Sequence, residues 1–291
     1  MNAHLYALAA IALWASLATL GVALSHVPPF LLTGIALSIG SMLAWPAVIK
    51  DRRQWRTTPA TLGLGVFSLF GFHFLLFMGL RLAPAVEVSL VNYLWPLFIV
   101  VLAPLYLPNV RWRGVHLFAA ALGFAGAVIA ILGAQTPANT AQPGGTPGAW
   151  LGYMLALGSA WVWANYSLQT QRLARSGRGF PTAAIGLFGL VSGALSLLCH
   201  GALEPSVSLS AQDWLLLTVL GLGPLGAAFF LWDKALKLGD ARHIGLLSFL
   251  TPLASTTLLL TVSGRPLAWN IALATVMIVG AALLGMRRTG G

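Results

Sequence analysis

A single histidine, His73, interrupts a long apolar stretch of the chain, and Phe77 follows it four residues later. Residues four apart on a helix share a face, so the imidazole and the phenyl ring would point the same way. An ionisable ring among apolar side chains is costly unless it contacts water or a polar partner. We therefore expect His73 either to line a polar cavity that holds a small molecule or to hydrogen-bond to a neighbouring helix.

Two prolines, Pro96 and Pro252, fall near the middle of apolar stretches and are predicted to act as hinges. Proline cannot donate a hydrogen bond to the carbonyl four residues earlier, which here belongs to Asn92 and to Ser248. In apolar surroundings a freed carbonyl needs another donor. Either both carbonyls face a central cavity and accept hydrogen bonds from a bound ammonium or hydroxyl group, or each marks a packing kink that its own side chain satisfies.

Aromatic side chains are frequent, at 10% of the residues, with eleven tryptophans. Several tryptophans lie near the ends of apolar stretches, as interfacial anchors do. Trp14, Trp163, Tyr93 and Trp232 lie deeper, where an indole or phenol group needs a hydrogen-bond partner. Such rings suit the wall of a cavity that stacks flat or apolar ligands, and contact with lipid or core packing is the alternative for each of them.

Enzyme chemistry is not indicated. The sequence has no phosphate-binding loop, no nucleophile elbow, no His-Glu-x-x-His motif and only one cysteine, Cys199, so we expect no catalytic group, cofactor or metal site. Of the six acidic residues only Glu87 falls inside an apolar stretch, where its charge either suits the positive end of a helix or pairs with Arg81. His73 and Glu87 are the candidates for coupling transport to protons. The net charge of +10 is spread along the chain, which argues against a nucleic-acid partner.

The elements that carry these residues are predicted to be membrane-spanning helices. Hydrophobic residues make up 58% of the 291 positions and charged residues 8%, and the apolar runs repeatedly reach the roughly 20 residues that cross a bilayer. The predicted fold is an all-α integral membrane protein of ten transmembrane helices. Their predicted ranges are 4–24, 29–49, 60–81, 85–107, 112–133, 149–170, 181–201, 212–234, 241–262 and 267–286.

The longest polar segment, residues 135–148, is rich in Pro, Gly and Thr and is predicted to be a linker. It separates a first five-helix repeat, residues 1–134, from a second, residues 149–291. Fourteen of the sixteen basic residues lie on the side of the membrane that carries both termini, and only Arg81 and Arg265 lie on the other. The positive-inside rule then puts both termini in the cytoplasm of a multi-pass protein of the bacterial inner membrane.

The two halves resemble each other. Residues 81–96 align with residues 237–252 at an offset of 156, and residues 13–16 align with residues 162–165 at an offset of 149. Because each half has an odd number of helices, the second must be inverted, an arrangement that places a substrate site near the midplane. Helix depth and repeat equivalence predict a central cavity that binds a small molecule through His73, Phe77, Ser89, Asn92, Tyr93, Trp163, Phe229, Trp232 and Ser248.

The helix count, the inverted halves, the Leu13-Trp-Ala-Ser16 segment and the Pro-containing fourth and ninth helices together resemble the drug/metabolite transporter superfamily (EamA-like). Within it, the segment Val91-Asn-Tyr-Leu-Trp-Pro96 is most similar to bacterial exporters of aromatic amino acids. The resemblance implies export of aromatic and other neutral amino acids by alternating access. It covers the whole chain and rests on pattern, without a single specific motif.

The chain departs from the commoner family pattern in two equivalent places. Many relatives carry Gly-Glu there, whereas this sequence reads Leu-Pro-Asn-Val at 107–110 and Ser-Gly-Arg-Pro at 263–266. Relatives that expel cationic drugs in exchange for protons carry a glutamate in the first helix, which is absent here. Facilitated transport by a monomer is therefore expected. The alternatives are another solute, such as a purine, a sugar derivative or a drug, and, outside carriers, a membrane channel or a membrane-embedded enzyme.

Overall fold

The computed structural model describes residues 2–108, 110–133, 149–262, 264 and 269–286. The predicted linker at 135–148 lies outside these residues, as do Arg265, Arg287 and Arg288. Across the described ranges the chain is helical and forms no strand.

The long helices follow the apolar runs of the sequence, and their ends differ from the predicted ones by at most five residues. We label them α1 (Ala3–Ala23), α2 (Pro29–Lys50), α3 (Pro59–Leu82), α4 (Ala85–Tyr106), α5 (Gly114–Gly133), α6 (Ala149–Arg175), α7 (Ala184–Leu203), α8 (Ala211–Leu238), α9 (Ala241–Val262) and α10 (Trp269–Met286). Eight of them are long and apolar enough to cross a membrane, and α6 and α10 fall outside that group. The protein is therefore an all-helical, multi-span membrane protein.

Three of the long helices are interrupted near their middles. The α-helical segments meet at Ser16 in α1, at Tyr93 and Leu94 in α4, and at Ser248 and Phe249 in α9. Pro96 lies in the first turn of the second α4 segment, Trp95–Tyr106, where a helix does not need the missing N–H group. The two predicted hinges therefore coincide with real breaks in the helices.

The predicted free carbonyl at Ser248 is not found. The Ser248 carbonyl oxygen accepts a hydrogen bond from the backbone N–H of Thr251, at 2.9 Å. The chain restarts its helix immediately after the break, so a tighter turn satisfies the carbonyl that Pro252 cannot reach. This carbonyl is therefore already paired within the chain, as in the alternative of a packing kink, and its contact with a ligand stays a prediction.

Two π-helical turns were not expected from the sequence. They span Phe67–Gly71 in α3 and Gly223–Ala227 in α8, and the α-helical segments after them are Phe72–Leu82 and Ala228–Leu238. All of these boundaries are separated by 156 residues, the offset found in the sequence. A π-turn widens a helix and often occurs at functional sites. His73 and Phe229 occupy equivalent positions, each two residues after the end of a π-turn.

The helices pack in pairs that join the two halves of the chain: α5 with α10, α2 with α7, α3 with α6 and α1 with α8. Small residues permit close approach. A Cβ atom added to Gly193 would lie 2.9 Å from the carbonyl oxygen of Gly34, so α7 and α2 nearly touch through their backbones. Gly189 and Gly193, four residues apart on α7, thus serve close packing within the chain.

Candidate functional site

A cavity of about 530 Å³ lies between α1, α2, α3, α4, α6, α8 and α9. It reaches the α1–α2 loop and the last turn of α3, where its lining includes the exposed residues Gly21, Ser25 and Pro29. We call this the mouth end of the molecule. The opposite end, where α1 begins and the turn between α8 and α9 lies, we call the closed end.

Seven of the nine residues predicted from the sequence line this cavity: His73, Phe77, Ser89, Asn92, Tyr93, Trp163 and Phe229. They come from α3, α4, α6 and α8, and the helix breaks and the π-turns bring them together. Their contact with a substrate stays a prediction.

Trp232 and Ser248, the other two, lie outside the lining. Trp232 is completely buried beneath the cavity, its indole N–H donates to Ser167 Oγ at 3.2 Å, and its ring packs 5.2 Å from that of Trp14. The Ser248 hydroxyl donates to the carbonyl of Gly245 within the same helix. Trp232 therefore supports the cavity floor from below, whereas the Ser248 hydroxyl is paired within its own helix.

Aromatic rings form the floor of the cavity. The ring centroids of Trp14 and Trp163, which are equivalent in the two halves, lie 6.0 Å apart, and Trp163 lies 5.4 Å from Phe229. The Trp14 indole N–H donates to the carbonyl of Pro224 at 3.1 Å, inside the π-turn of α8. This hydrogen bond satisfies a buried indole and a carbonyl of the irregular turn together. The floor is thus a packed set of aromatic rings in which the Trp14 indole N–H is already bonded.

His73 presents a defined hydrogen-bonding atom beside this floor. Its Nδ1 lies 2.6 Å from the carbonyl oxygen of Leu69. A carbonyl can only accept, so Nδ1 carries the proton, and in the neutral ring Nε2 is then an acceptor. The π-turn that contains Leu69 therefore sets the tautomer of the histidine.

Further polar groups of the cavity come from side chains with incomplete hydrogen bonding. Ser159 Oγ lies 2.8 Å from Asn92 Oδ1 and 2.7 Å from the carbonyl oxygen of Ala156, so two acceptors share its one proton, and the NH₂ group of Asn92 is a potential donor. The hydroxyl oxygens of Thr33 and Thr251 are buried and have no partner among the described residues, and both threonines line the cavity. Sequence reasoning missed these two, although Thr251 directly precedes the predicted hinge Pro252.

No carboxylate belongs to the described lining of the cavity. Glu87, a candidate for proton coupling, is exposed. The suggested pairing of Arg81 with Glu87 was wrong, because the Arg81 guanidinium pairs with Glu204 at 3.2 Å. Across the part of the chain that the structure describes, no group of three or more His, Cys, Asp or Glu side chains could hold a metal ion.

Comparison with known proteins adds to this geometry. Residues 1–132 and 150–287 match the model of the EamA-like transporter family. The aromatic amino acid exporter YddG of Ancylobacter novellus is 38% identical over 288 residues, which cover 97% of this chain and 96% of that protein. The aromatic amino acid exporter YddG of Escherichia coli is 28% identical over 69% of this chain and 66% of its own length.

A solved crystal structure is also similar, with a TM-score of 0.87 and 36% identity. The superposition covers 98% of this chain and 97% of that chain. The two chains therefore share the fold along nearly their whole length.

Proposed function

Because this chain belongs to the EamA-like transporter family, we propose that it exports aromatic and other neutral amino acids through the cavity described above. The observation that carries the proposal is the pairing of an aromatic floor with a few fixed polar groups in one cavity of about 530 Å³, a size suited to a small organic solute. The relative that is 38% identical is an aromatic amino acid exporter, which supports the same substrate class.

The polar groups suit the zwitterionic end of an amino acid. His73 Nε2 would accept a hydrogen bond from the ammonium group. The Asn92 amide and the hydroxyls of Thr33 and Thr251 would donate to the carboxylate. The side chain of the substrate would rest on Trp163 and Phe229, where aromatic and apolar contacts are favourable.

Transport proceeds by alternating access in a bundle of ten membrane crossings that forms two inverted five-helix repeats around the cavity. The common offset of 156 between the two π-turns and the two separate family matches support the repeat. Transport is facilitated, since the described lining offers no carboxylate to carry a proton. The working unit is a monomer, because one chain encloses the cavity by itself.

The mouth end faces away from the cytoplasm, and the protein lies in the bacterial inner membrane with both termini inside. This orientation rests on the basic residues. Among the described ones, Arg81 lies at the mouth end and the others lie near helix ends at the closed end. The structure then corresponds to a carrier that is open to the outside.

The test is flux of radiolabelled phenylalanine, tryptophan and threonine in proteoliposomes, with and without a proton gradient. We expect saturable flux that ignores the gradient and falls about tenfold or more in Trp163→Ala, because the variant removes the centre of the aromatic floor. Trp161→Ala is the matched control, since Trp161 lies two residues away on the same helix and is 43% exposed. Equal losses in both variants would reject the cavity as the binding site.

Absence of flux for every amino acid would reject the proposed substrate class. Ion conductance in planar bilayers would instead identify a channel.

A further inference from the structure

Gln171, near the end of α6, is buried and makes three hydrogen bonds to a single turn of the chain. Its Nε2 donates to the carbonyl oxygens of Leu236, at 3.3 Å, and of Gly239. Its Oε1 accepts from the backbone N–H of Ala241 at 3.2 Å. These three partners span the end of α8, the connection and the start of α9. One amide therefore holds the whole α8–α9 turn against α6.

The α8–α9 turn lies at the closed end. On its other side it packs against the start of α1, since a Cβ atom added to Gly239 would lie 2.8 Å from the Cβ atom of Ala3. The end of α6 and the start of α1 thus enclose the turn from two directions. A path between α6 and α1 at this end is closed as long as the turn contacts both.

The mouth end contains the equivalent elements without the equivalent amide. At the offset of 149, Gln171 corresponds to Val22 of α1, which is 63% exposed. At the offset of 156, the α8–α9 turn corresponds to the α3–α4 turn. Gly21 and Leu80 line the cavity from the end of α1 and from α3, so these two elements stand apart with the cavity between them.

The packing on the other side of the two turns is alike. A Cβ atom added to Gly152, at the start of α6, would lie 2.6 Å from the Cβ atom of Ala83 in the α3–α4 turn, and this contact corresponds to that between Ala3 and Gly239. The amide of Gln171 is therefore a clear chemical difference between the two ends of the pathway.

We propose that Gln171 is a positioning residue for transport: a clasp that holds the closed end shut, makes the mouth-open form the resting conformation and must release in every cycle. The proposal rests on transport by alternating access as proposed above. A group shifts a conformational equilibrium only through bonds that differ between the two states. The three hydrogen bonds of Gln171 are of that kind, because they join elements that have to separate.

The test measures distances between spin labels in lipid nanodiscs without any amino acid, in a Cys199→Ser background. One pair, Arg172→Cys and Leu238→Cys, reports on the closed end, and a second pair, Ala23→Cys and Leu82→Cys, reports on the mouth end; all four positions are exposed. In Gln171→Leu we expect longer closed-end distances and shorter mouth-end distances, with a change of about tenfold or more in the ratio of the two populations.

Gln169→Leu is the matched control, because Gln169 lies on the same helix, two residues away, and its side chain makes no hydrogen bond to a described residue. We expect wild-type distances in this variant. Distances in Gln171→Leu that equal those of the wild type, or an equal shift in Gln169→Leu, would overturn the clasp.

Val22→Gln adds an amide at the mouth end at an exposed position, so its folding is not threatened. We expect this variant to shorten the mouth-end distances. If Gln171→Leu fails to fold, unchanged distances in Val22→Gln overturn the proposal. The distance measurement needs no substrate. If the distances shift as expected but no amino acid is transported, only the proposed substrate class is rejected. If amino-acid flux is normal but the distances in the variants do not shift, only the clasp is rejected.

Discussion

Two ion-pair brackets at opposite ends of the molecule are centred on equivalent basic residues, Arg81 and Lys237, which are 156 positions apart. Their carboxylates are not equivalent, since Glu204 follows α7 and Asp233 lies within α8. At the mouth end the Arg81 guanidinium lies 5.6 Å from the centre of the Phe30 ring and pairs with Glu204. At the closed end the Lys237 ammonium lies 4.2 Å from the Phe180 ring and pairs with Asp233 at 2.6 Å. Each bracket fastens the end of one helix to the start of the preceding one, α3 to α2 and α8 to α7.

The brackets differ in how completely the carboxylate is bonded. Glu204 accepts from the backbone N–H groups of Phe30 and Leu31, at 2.9 and 3.2 Å, and also contacts His200 and Arg81. Asp233 uses only Oδ2, which accepts from Thr182 and Lys237, whereas its Oδ1 is buried without a partner among the described residues. A buried oxygen without a bond costs stability. The mouth-end bracket is therefore the stronger of the two.

The largest effect is expected for Glu204→Gln. The variant removes the charge that pairs with Arg81 and weakens the cap at the N-terminus of α2, where negative charge is favourable. We expect a loss of about 2 to 4 kcal/mol in the free energy of unfolding. This lies toward the low end of the cost of breaking a buried ion pair, because Arg81 is partly exposed. Thermal unfolding in detergent measures it, with the exposed Glu87→Gln as control. An equal loss in the control would contradict the assignment.

A smaller effect is expected for Asp233→Asn. Thr182 can still donate to the amide oxygen, and Lys237 keeps the carbonyl of Phe180 at 2.7 Å as an acceptor. The lysine also lies near a helix end, where its long side chain can reach water. We expect a loss of about 1 to 2 kcal/mol by the same thermal measurement. If Asp233→Asn cost as much as Glu204→Gln, incomplete bonding would not be what separates the two brackets.

Sequence reasoning located the helices well because apolar length alone sets them. The two central prolines also coincide with real breaks in α4 and α9. The π-turns escaped prediction, since a single extra residue in a helix leaves no mark in an apolar pattern. Each π-turn sets the rotation of the helical segment after it. Phe229 and Trp232 lie three residues apart, yet the first lines the cavity and the second packs beneath it.

The bracket at the mouth end was missed for a different reason. Glu204 stands at a loop in the sequence and was assigned no role, because its partners Phe30 and Arg81 are more than a hundred residues away. Pairings across such separations depend on which helices are neighbours. The same limit explains why Arg81 was paired with the nearby Glu87 and why the clasp of Gln171 was not foreseen.

The smallest effect concerns the two connecting turns. Asp240 is the N-cap of α9. Its side chain accepts from the backbone N–H of Arg242 at 2.9 Å and pairs with the Arg242 guanidinium at 2.8 Å. The equivalent position in the α3–α4 turn is Pro84, whose side chain has no acceptor. Burial raises the pKa of Asp240, but the hydrogen bonds and charge of Arg242 outweigh it and leave the pKa below the ordinary value. A carboxyl group whose pKa is lowered by folding stabilises the folded state at pH values above its ordinary pKa. This contribution is lost as the pH falls through the pKa of the group in the folded state.

We therefore expect Asp240→Asn to lower the free energy of unfolding by about 0.5 to 1 kcal/mol at neutral pH. The difference from the wild type should shrink as the pH falls below about 4, because the wild-type carboxylate then takes up a proton. Thermal unfolding across a pH series measures this change. A difference that stays constant down to acid pH would show that Asp240 acts through its shape as a cap, and the two turns would then differ in geometry and not in charge.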